Sequence, residues 1–560
     1  MAVGWVAWAV LTACAWLVPS FGIPWVSFDR ELVAAIAGIA LMGGLLVRGK
    51  AAWQLPTPAL VAFVLIASVA VQWRAGIILF DGDAWMSALY LLAFGLAVVT
   101  GARAREGHGN FAIDAFWLAV GMASFLSVGL QLKQWLQIDG LVDWTMDVPK
   151  GARPFANLGQ PNLLATLHCW SLLAIWWAYR HGRLRGWIAT PAAAFVLCGI
   201  AMTQSRTAWL VLALLVIGAC VYRRALDSRR SVLSFGALIV FFVLLVAGWD
   251  ALNEKLYLTA ALDLHERIAN PGTRWKIWST ALAAIADRPL FGWGWSQVGV
   301  AQQALALRLP HQPELIDHSH DIILDMLVWT GVPIGLTVAA LSLVWLWRRL
   351  RAVGGADDAL LVLGVVSFAT HAMLEYPHTY LFMLVPMGWL VGLVRTPRDA
   401  AAGLHLPRAV VATLFVAAAA STAATALEYI EARANTAVLR FEMARVGANR
   451  HSTAPDLHLL TQLRAVLTVD RLPLDTALND EQMALVRRTA QRFPAERLLV
   501  HEAVFAVHRG ELDDARASLR RLCTLHTTAS CAQARAVWDF WGRERYPWLA
   551  QLPFPAVDSH

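Results

Sequence analysis

The stretch Arg153–Trp170 reads "RPFANLGQPNLLATLHCW". Its first half is polar and carries two prolines, and its second half turns abruptly into an apolar helix. A polar knot with Arg153, Asn157, Gln160, Pro161 and Asn162 stands at the mouth of what should be a membrane segment. The composition shows how common such segments are in this chain. Of 560 residues, 58% are hydrophobic and 15% charged, with a mean hydropathy of +0.54. A soluble domain is about 45–50% apolar and about 25% charged. The chain reads as an all-α, polytopic membrane protein. Its net charge of +7 is then a matter of topology and implies no nucleic-acid partner.

A helix of roughly 20 apolar residues spans a bilayer. About thirteen such runs are legible, near 3–22, 32–48, 57–73, 84–101, 111–130, 163–179, 187–202, 207–222, 231–250, 321–347, 358–372, 380–395 and 407–426. The first starts at Met1 with no basic leader or small-residue cleavage site, and is read as a retained span. Basic residues fall on every second connection: Arg48/Lys50, Arg103/Arg105, Arg180/Arg183/Arg185, Arg223/Arg224/Arg229/Arg230, Arg348/Arg349/Arg351 and Arg395/Arg398/Arg408. Positive charge marks the cytoplasmic side, so the N-terminus is expected inside and the C-terminus outside. Residues 1–426 form the expected membrane domain, with a long outer loop at about 251–320. Residues 427–560 are polar and helical, with a Gly turn in "RGELDDA", and suggest tetratricopeptide-like hairpins despite a poor match to the full repeat.

Every unusual segment then lies on the outer face. "AMTQSRTAW" places Arg206 at a span edge among Gln204, Ser205 and Thr207. Such an arginine is either a snorkelling anchor or a cation awaiting an anion. In "NPGTRWKIWSTALAAIADRPLFGWGW", the spacing of Trp275, Trp278, Leu282 and Ile285 predicts an amphipathic helix on the membrane surface. Arg274 and Lys276 sit in its first turn, where free N–H groups suit an anion. "DHSHDIILDM" sets His318 and His320 just before a span. The pattern carries no specific metal signature, and a histidine there serves better as base or donor. "HAMLEYPHTYLF" adds Glu375, Tyr376, His378 and Tyr380. "FDGDAW" holds Asp81 and Asp83, read as a plain loop ahead of a divalent-metal site.

With these stretches assembled, the chain resembles the PglL-type protein O-oligosaccharyltransferases of the O-antigen ligase and polymerase superfamily. "RPFANLGQPNLLAT", "TQSRTAWL", "GTRWKIWSTALAAIADRPLFGWGW", "HSHDIILDMLVWTGVPIGL" and "HAMLEYPHTYLF" carry the resemblance over roughly residues 60–395. The Gln-Pro-Asn element marks the protein-glycosylating branch. Two positions depart: Asp321 follows His320 where the family has Asn, and Ala156 replaces the Gly before Asn157, a conservative exchange.

The resemblance implies transfer of a glycan from undecaprenyl pyrophosphate to Ser or Thr of periplasmic, pilin-like proteins, in the bacterial inner membrane. It gives Gln160 a part in holding donor or acceptor, places His320 at the acceptor hydroxyl, and has Tyr380 complete the site. Arg153, Asn157, Asn162, Glu375 and His318 are the further expected substrate contacts. Arg206 and Arg274 would stabilise the pyrophosphate leaving group with fixed charge, in a scheme with no metal or other cofactor. An O-antigen ligase or polymerase is the nearest rival reading, and a lipid-linked-glycan transporter a more distant one. Finally, Cys523 and Cys531 lie eight residues apart, with "TLHTTAS" between them, and are expected to form a disulfide in an oxidising compartment.

Overall fold

The computed structural model describes residues 2–49, 52–138, 140, 144–149, 151–226, 232–258, 272–394, 404–446 and 452–555. Residues 259–271 of the expected outer loop, with Lys50, Arg229, Arg230, Arg395 and Arg398, lie outside them. Each apolar run falls on a helix, and among the described residues the sole strands are the paired Trp53–Leu55 and Leu404–Leu406. Six described helices are long and apolar enough to cross a membrane: Phe28–Arg48, Thr57–Arg74, Asp81–Trp135, Gly186–Thr203, Ile322–Arg351 and Arg408–Met443. The bent pair Ser234–Ala247 and Trp249–Lys255 would make a seventh. The chain is a multi-pass helical membrane protein, and among the described residues fewer than thirteen helices qualify by length and composition. The run Asp81–Trp135 is two helices that meet at a kink at His108, where the backbone leaves helical geometry, so the expected spans at 84–101 and 111–130 are each helical. Others are short, such as Leu381–Leu393. At 1.5 Å per residue, a short helix falls below a hydrocarbon core of about 30 Å.

The chain divides into two compact units. The first comprises Met1–Leu65, Leu89–Pro271 and Ala340–Thr422. Helix Pro161–Arg180 is its centre and packs on Gly186–Thr203, Arg206–Val221 and Ala356–Ala372. Pro161 takes the first helical position, where its missing N–H costs nothing. Helix Phe28–Arg48 packs on Ala2–Leu17 and Leu381–Leu393. Gly392 lets helix backbones close up: a Cβ there would collide with the Val98 carbonyl.

The second unit comprises Ile66–Ala88, Gly272–Ala339 and Ala423–His560. Its helix Ile322–Arg351 breaks at Gly331 (φ 78°), ahead of Pro333. A break exposes backbone polar groups that need partners at membrane depth. The turn "RPLFGWGW" supplies them: Trp293 N–H donates to Val328 O (2.7 Å) and Val332 N–H to Pro289 O (2.7 Å). Gln72 bridges both sides, donating to Phe291 O (2.8 Å) and Trp329 O (2.7 Å). A Cβ on Gly331 would collide with the Leu290 carbonyl, so the glycine is a steric requirement as well as a conformational one.

The C-terminal helices Asp480–Arg492, Glu496–His508, Leu512–Leu525 and Thr528–Glu544 share a core of Val486, Leu499, Phe505, Leu519, Leu522 and Trp538. Gly510 (φ 79°) makes the turn expected in "RGELDDA". Cys523 and Cys531 are bonded, with Cα atoms 4.9 Å apart, and tie Leu512–Leu525 to Thr528–Glu544. The Asp81–Asp83 segment is a latch for these helices. Asp83 accepts from Arg492 Nε (3.0 Å) and Nη2 (3.1 Å). Gly82 N–H donates to Thr461 Oγ1 (2.9 Å). Asp81 accepts from Trp73 Nε1 (2.7 Å). Burial disfavours the Arg492 charge, but Asp83 more than offsets this and raises its pKa. Both carboxylates of the "DGD" element are therefore engaged by protein donors.

Candidate functional site

In the first unit the Gln-Pro-Asn element meets "HAMLEYPHTY". Asn162 Nδ2 donates to Glu375 Oε1 at 3.0 Å, and Gln160 Nε2 lies 3.5 Å from Glu375 Oε2. Glu375 is 5% exposed, so its carboxylate is a buried acceptor holding both amides in place. Tyr380 begins helix Leu381–Leu393 and packs its ring on Phe382 (5.2 Å) and Tyr376 (6.1 Å). Expected substrate contacts Gln160, Asn162, Glu375 and Tyr380 thus share one corner.

The sequence reading missed the floor of that corner. Arg30, 3% exposed, opens helix Phe28–Arg48, donates to the Asn157 carbonyl and lies 5.1 Å over the Phe382 ring. Glu31 beside it accepts from Tyr90 and from Trp25 Nε1. Tyr380 is within electrostatic reach of Arg30, Glu31 and Glu375. The signal was present in "DRE" at the head of a span, since ionisable residues at membrane depth mark functional regions by default.

Asn157 is spent on the fold. It is fully buried, accepts from Met146 N–H (2.9 Å), and donates to Leu17 O (2.6 Å) and Trp144 O (2.9 Å). Its position supports the corner from beneath and leaves its amide no group for a substrate. Ala156 sits at φ 51°, the left-handed region that favours glycine. Gln134 holds it there, accepting its N–H (2.7 Å) and donating to its carbonyl (2.8 Å). The Gly-to-Ala departure is thus tolerated under strain. Arg153 donates to Thr203 O (3.4 Å). That contact links its loop to the "TQSR" turn, where Ser205 caps the helix that Arg206 begins. Arg206 is exposed.

In the second unit, the "HSHD" loop is built tightly. Ser319 N–H donates to Asp325 Oδ1 (2.6 Å), and Trp278 Nε1 donates to Ser319 O (3.1 Å). Asp321 caps helix Ile322–Arg351, accepting from Ile323 N–H (2.8 Å) and Leu324 N–H (3.0 Å). An aspartate suits that place as well as asparagine does, which accounts for the departure at Asp321. His320 has φ 59°. A non-glycine residue there costs on the order of 1–3 kcal/mol, and such strain gathers at functional sites. His318 Nδ1 lies 3.5 Å from Asp325 Oδ2, a buried carboxylate the sequence reading passed over as a span residue.

Arg274 is half-buried near the start of helix Gly272–Asp287. That helix presents Trp275 (68% exposed) and Leu282 outward and buries Ile277, Ala281 and Ala284. Trp275 and Leu282 therefore face away from protein, while Ile277 is buried and Trp278 is turned toward Ser319.

The chain has relatives among known proteins. Residues 191–339 match the O-Antigen ligase family. Residues 359–540 match the family described as "Virulence factor membrane-bound polymerase, C-terminal". The chain is 28% identical over 422 residues to the General O-oligosaccharyltransferase of Acinetobacter baylyi, covering 73% of this chain and 72% of that one. It is 30% identical over 245 residues to the ComP-specific O-oligosaccharyltransferase of the same organism, 44% of each chain. A multi-pass helical protein whose matches carry these names has the makings of a membrane glycosyltransferase related to the O-antigen ligases. Over most of its length the chain is similar to O-oligosaccharyltransferases.

Proposed function

We propose that the protein transfers a preassembled glycan en bloc from undecaprenyl pyrophosphate to Ser or Thr hydroxyls of periplasmic proteins such as pilins. The observation that carries this reading is the Gln160–Asn162–Glu375 corner, in a chain whose relatives are named for O-oligosaccharyl transfer. The acceptor oxygen bonds to the sugar's anomeric carbon as the bond to pyrophosphate breaks. His320 accepts the hydroxyl proton. Arg206 and Arg274 stabilise the departing lipid pyrophosphate with forked, permanently charged donors, so no metal is required. Gln160, Asn162 and Tyr380 hold donor or acceptor, Glu375 fixes the two amides, and Arg153 and His318 assist.

The protein sits in the inner membrane with this chemistry on the periplasmic side. The alternation of basic connections and the Cys523–Cys531 disulfide support that placement. The tail is a tetratricopeptide-like module on the same side. The test is mass spectrometry of periplasmic proteins from cells with and without the chain. Glycopeptides on Ser or Thr that vanish with the gene support the reading. Loss of lipid A-core glycan alone would favour a ligase, the name of one matching family.

A further inference from the structure

In the second unit, the stretch 306–321 forms neither helix nor strand, and Gln312 sits in it between Pro310 and Pro313. The main chain of such a stretch must find its partners elsewhere. Gln302, buried on helix Val298–Leu305, supplies two of them: its Nε2 donates to Glu314 O (2.8 Å) and its Oε1 accepts from Ile316 N–H (3.0 Å). A third comes from the C-terminal helices. Gln312 N–H donates to Thr524 O (3.1 Å) in the last turn of helix Leu512–Leu525, where carbonyls lack a partner within the helix. The Gln312 side chain reaches a different helix. Its Nε2 donates to Lys276 O (2.6 Å), and its Oε1 accepts from Thr280 Oγ1 (2.9 Å). Lys276 and Thr280 stand one turn apart on helix Gly272–Asp287, which carries Arg274.

We propose that Gln312 is a positioning residue for glycan transfer, through which the C-terminal helices hold the helix of Arg274 in its working place. The inference rests on the proposed function, in which Arg274 stabilises the departing pyrophosphate. One residue bonds the tail with its backbone and this helix with both ends of its side-chain amide. Bonds at Lys276 and Thr280 fix the height of the helix and its rotation together. Packing runs the same way: Gly272–Asp287 lies on Val298–Leu305, which lies on the tail helix Asp480–Arg492. From the far side, Trp278 Nε1 ties the helix to Ser319 O, beside His320. A fixed charge works only where it is aimed at the charge that develops, and a misplacement of about 1 Å can cost on the order of 10²-fold.

The experiment uses the full chain in lipid nanodiscs, a polyprenyl-pyrophosphate disaccharide as donor, and an acceptor protein found by the mass-spectrometric comparison. Gln312→Leu keeps the main-chain bond to Thr524 and loses both side-chain bonds. It lowers kcat about tenfold and leaves the donor KM within about twofold. In an Arg274→Ala background the same change lowers the residual kcat by less than about twofold, because the group it positions is gone. Amide hydrogen exchange needs neither donor nor acceptor. In Gln312→Leu it quickens over residues 274–287 and stays at the wild-type rate over 512–525. Leu519→Ala, which opens the fully buried tail core, quickens both segments.

Wild-type kcat in Gln312→Leu would overturn the proposal, as would the same tenfold loss when Arg274 is already absent. Wild-type exchange over 274–287 in Gln312→Leu would overturn it too. Leu519→Ala that quickens the tail and leaves 274–287 unchanged would remove the tail from the arrangement. If the wild type moves no glycan to protein, the proposed function fails, while the exchange arm still decides whether the tail holds this helix through Gln312.

Discussion

Each compact unit buries an arginine, and the two are satisfied differently. Arg30 donates to a backbone carbonyl and stacks over Phe382, and its Nε has no hydrogen-bond partner. Arg492 is gripped by both oxygens of Asp83. Glu31, Tyr380 and Asp29 act on the Arg30 charge through space, whereas Asp83 meets Arg492 in direct bonds and makes a lock. The first arrangement lies under the Gln160–Asn162–Glu375 corner. The second suits a joint that must not open. Glu375 likewise holds side-chain amides, while Asp83 holds an arginine of the C-terminal helices.

The largest expected effect tests chemistry apart from both arginines. His320→Ala should lower transfer by about 10²–10⁴-fold while donor binding and membrane insertion persist. Full activity in this variant would remove His320 from the reaction. Chelator should change nothing, and activity lost in EDTA and restored by Mn²⁺ would revive a metal scheme.

Next in size is the lock itself. Asp83→Ala leaves the Arg492 charge buried without its partner, a loss of about 3–5 kcal/mol for such pairs. Limited proteolysis of the full chain should then cut the C-terminal helices far sooner. Unchanged proteolysis would show that Asp83 and Arg492 do not form a lock.

A smaller loss is expected from the Cys523→Ser/Cys531→Ser double variant. The chain-closure account assigns so short a loop about 2–3 kcal/mol. Thiol labelling of intact cells with an impermeant reagent only after reduction would also put the tail outside. Labelling that needs a breached inner membrane would put it inside.

The smallest effect is a pH dependence confined to the second unit. Burial raises the Asp470 carboxyl to about 6, and Arg497 only partly opposes it. The folded state therefore holds this proton more tightly than the unfolded chain does. That stabilisation is whole below the ordinary carboxylate pKa of about 4 and is lost as pH rises through about 6. The difference in thermal midpoint between Asp470→Asn and wild type should shift in the variant's favour across that window. A flat difference curve would remove Asp470 from the pH response.

Much of the architecture was legible in the residues. Apolar runs marked the helices because a backbone at membrane depth must satisfy its own hydrogen bonds. Gly510 marked its turn, and two cysteines eight residues apart marked their bond. The number of qualifying spans was less legible. Composition does not say where a helix ends or bends, and the expected spans 84–101 and 111–130 follow one another through a kink at His108 with no loop between them. Asn157 looked like a substrate contact because an amide in a polar loop gives no sign that three main-chain groups will consume it.

By itself the sequence determined the class of protein, the helices and the motifs at their mouths, since these follow from local hydropathy, turn chemistry and residue order. Tertiary structure alone decided which motifs meet. Asn162 and Glu375 are 213 positions apart, and Arg492 and Asp83 are 409 apart. A polar residue's local pattern records only that it needs a partner. The partner is chosen when packed helices exclude water and leave one donor facing one acceptor, a choice that the whole fold makes.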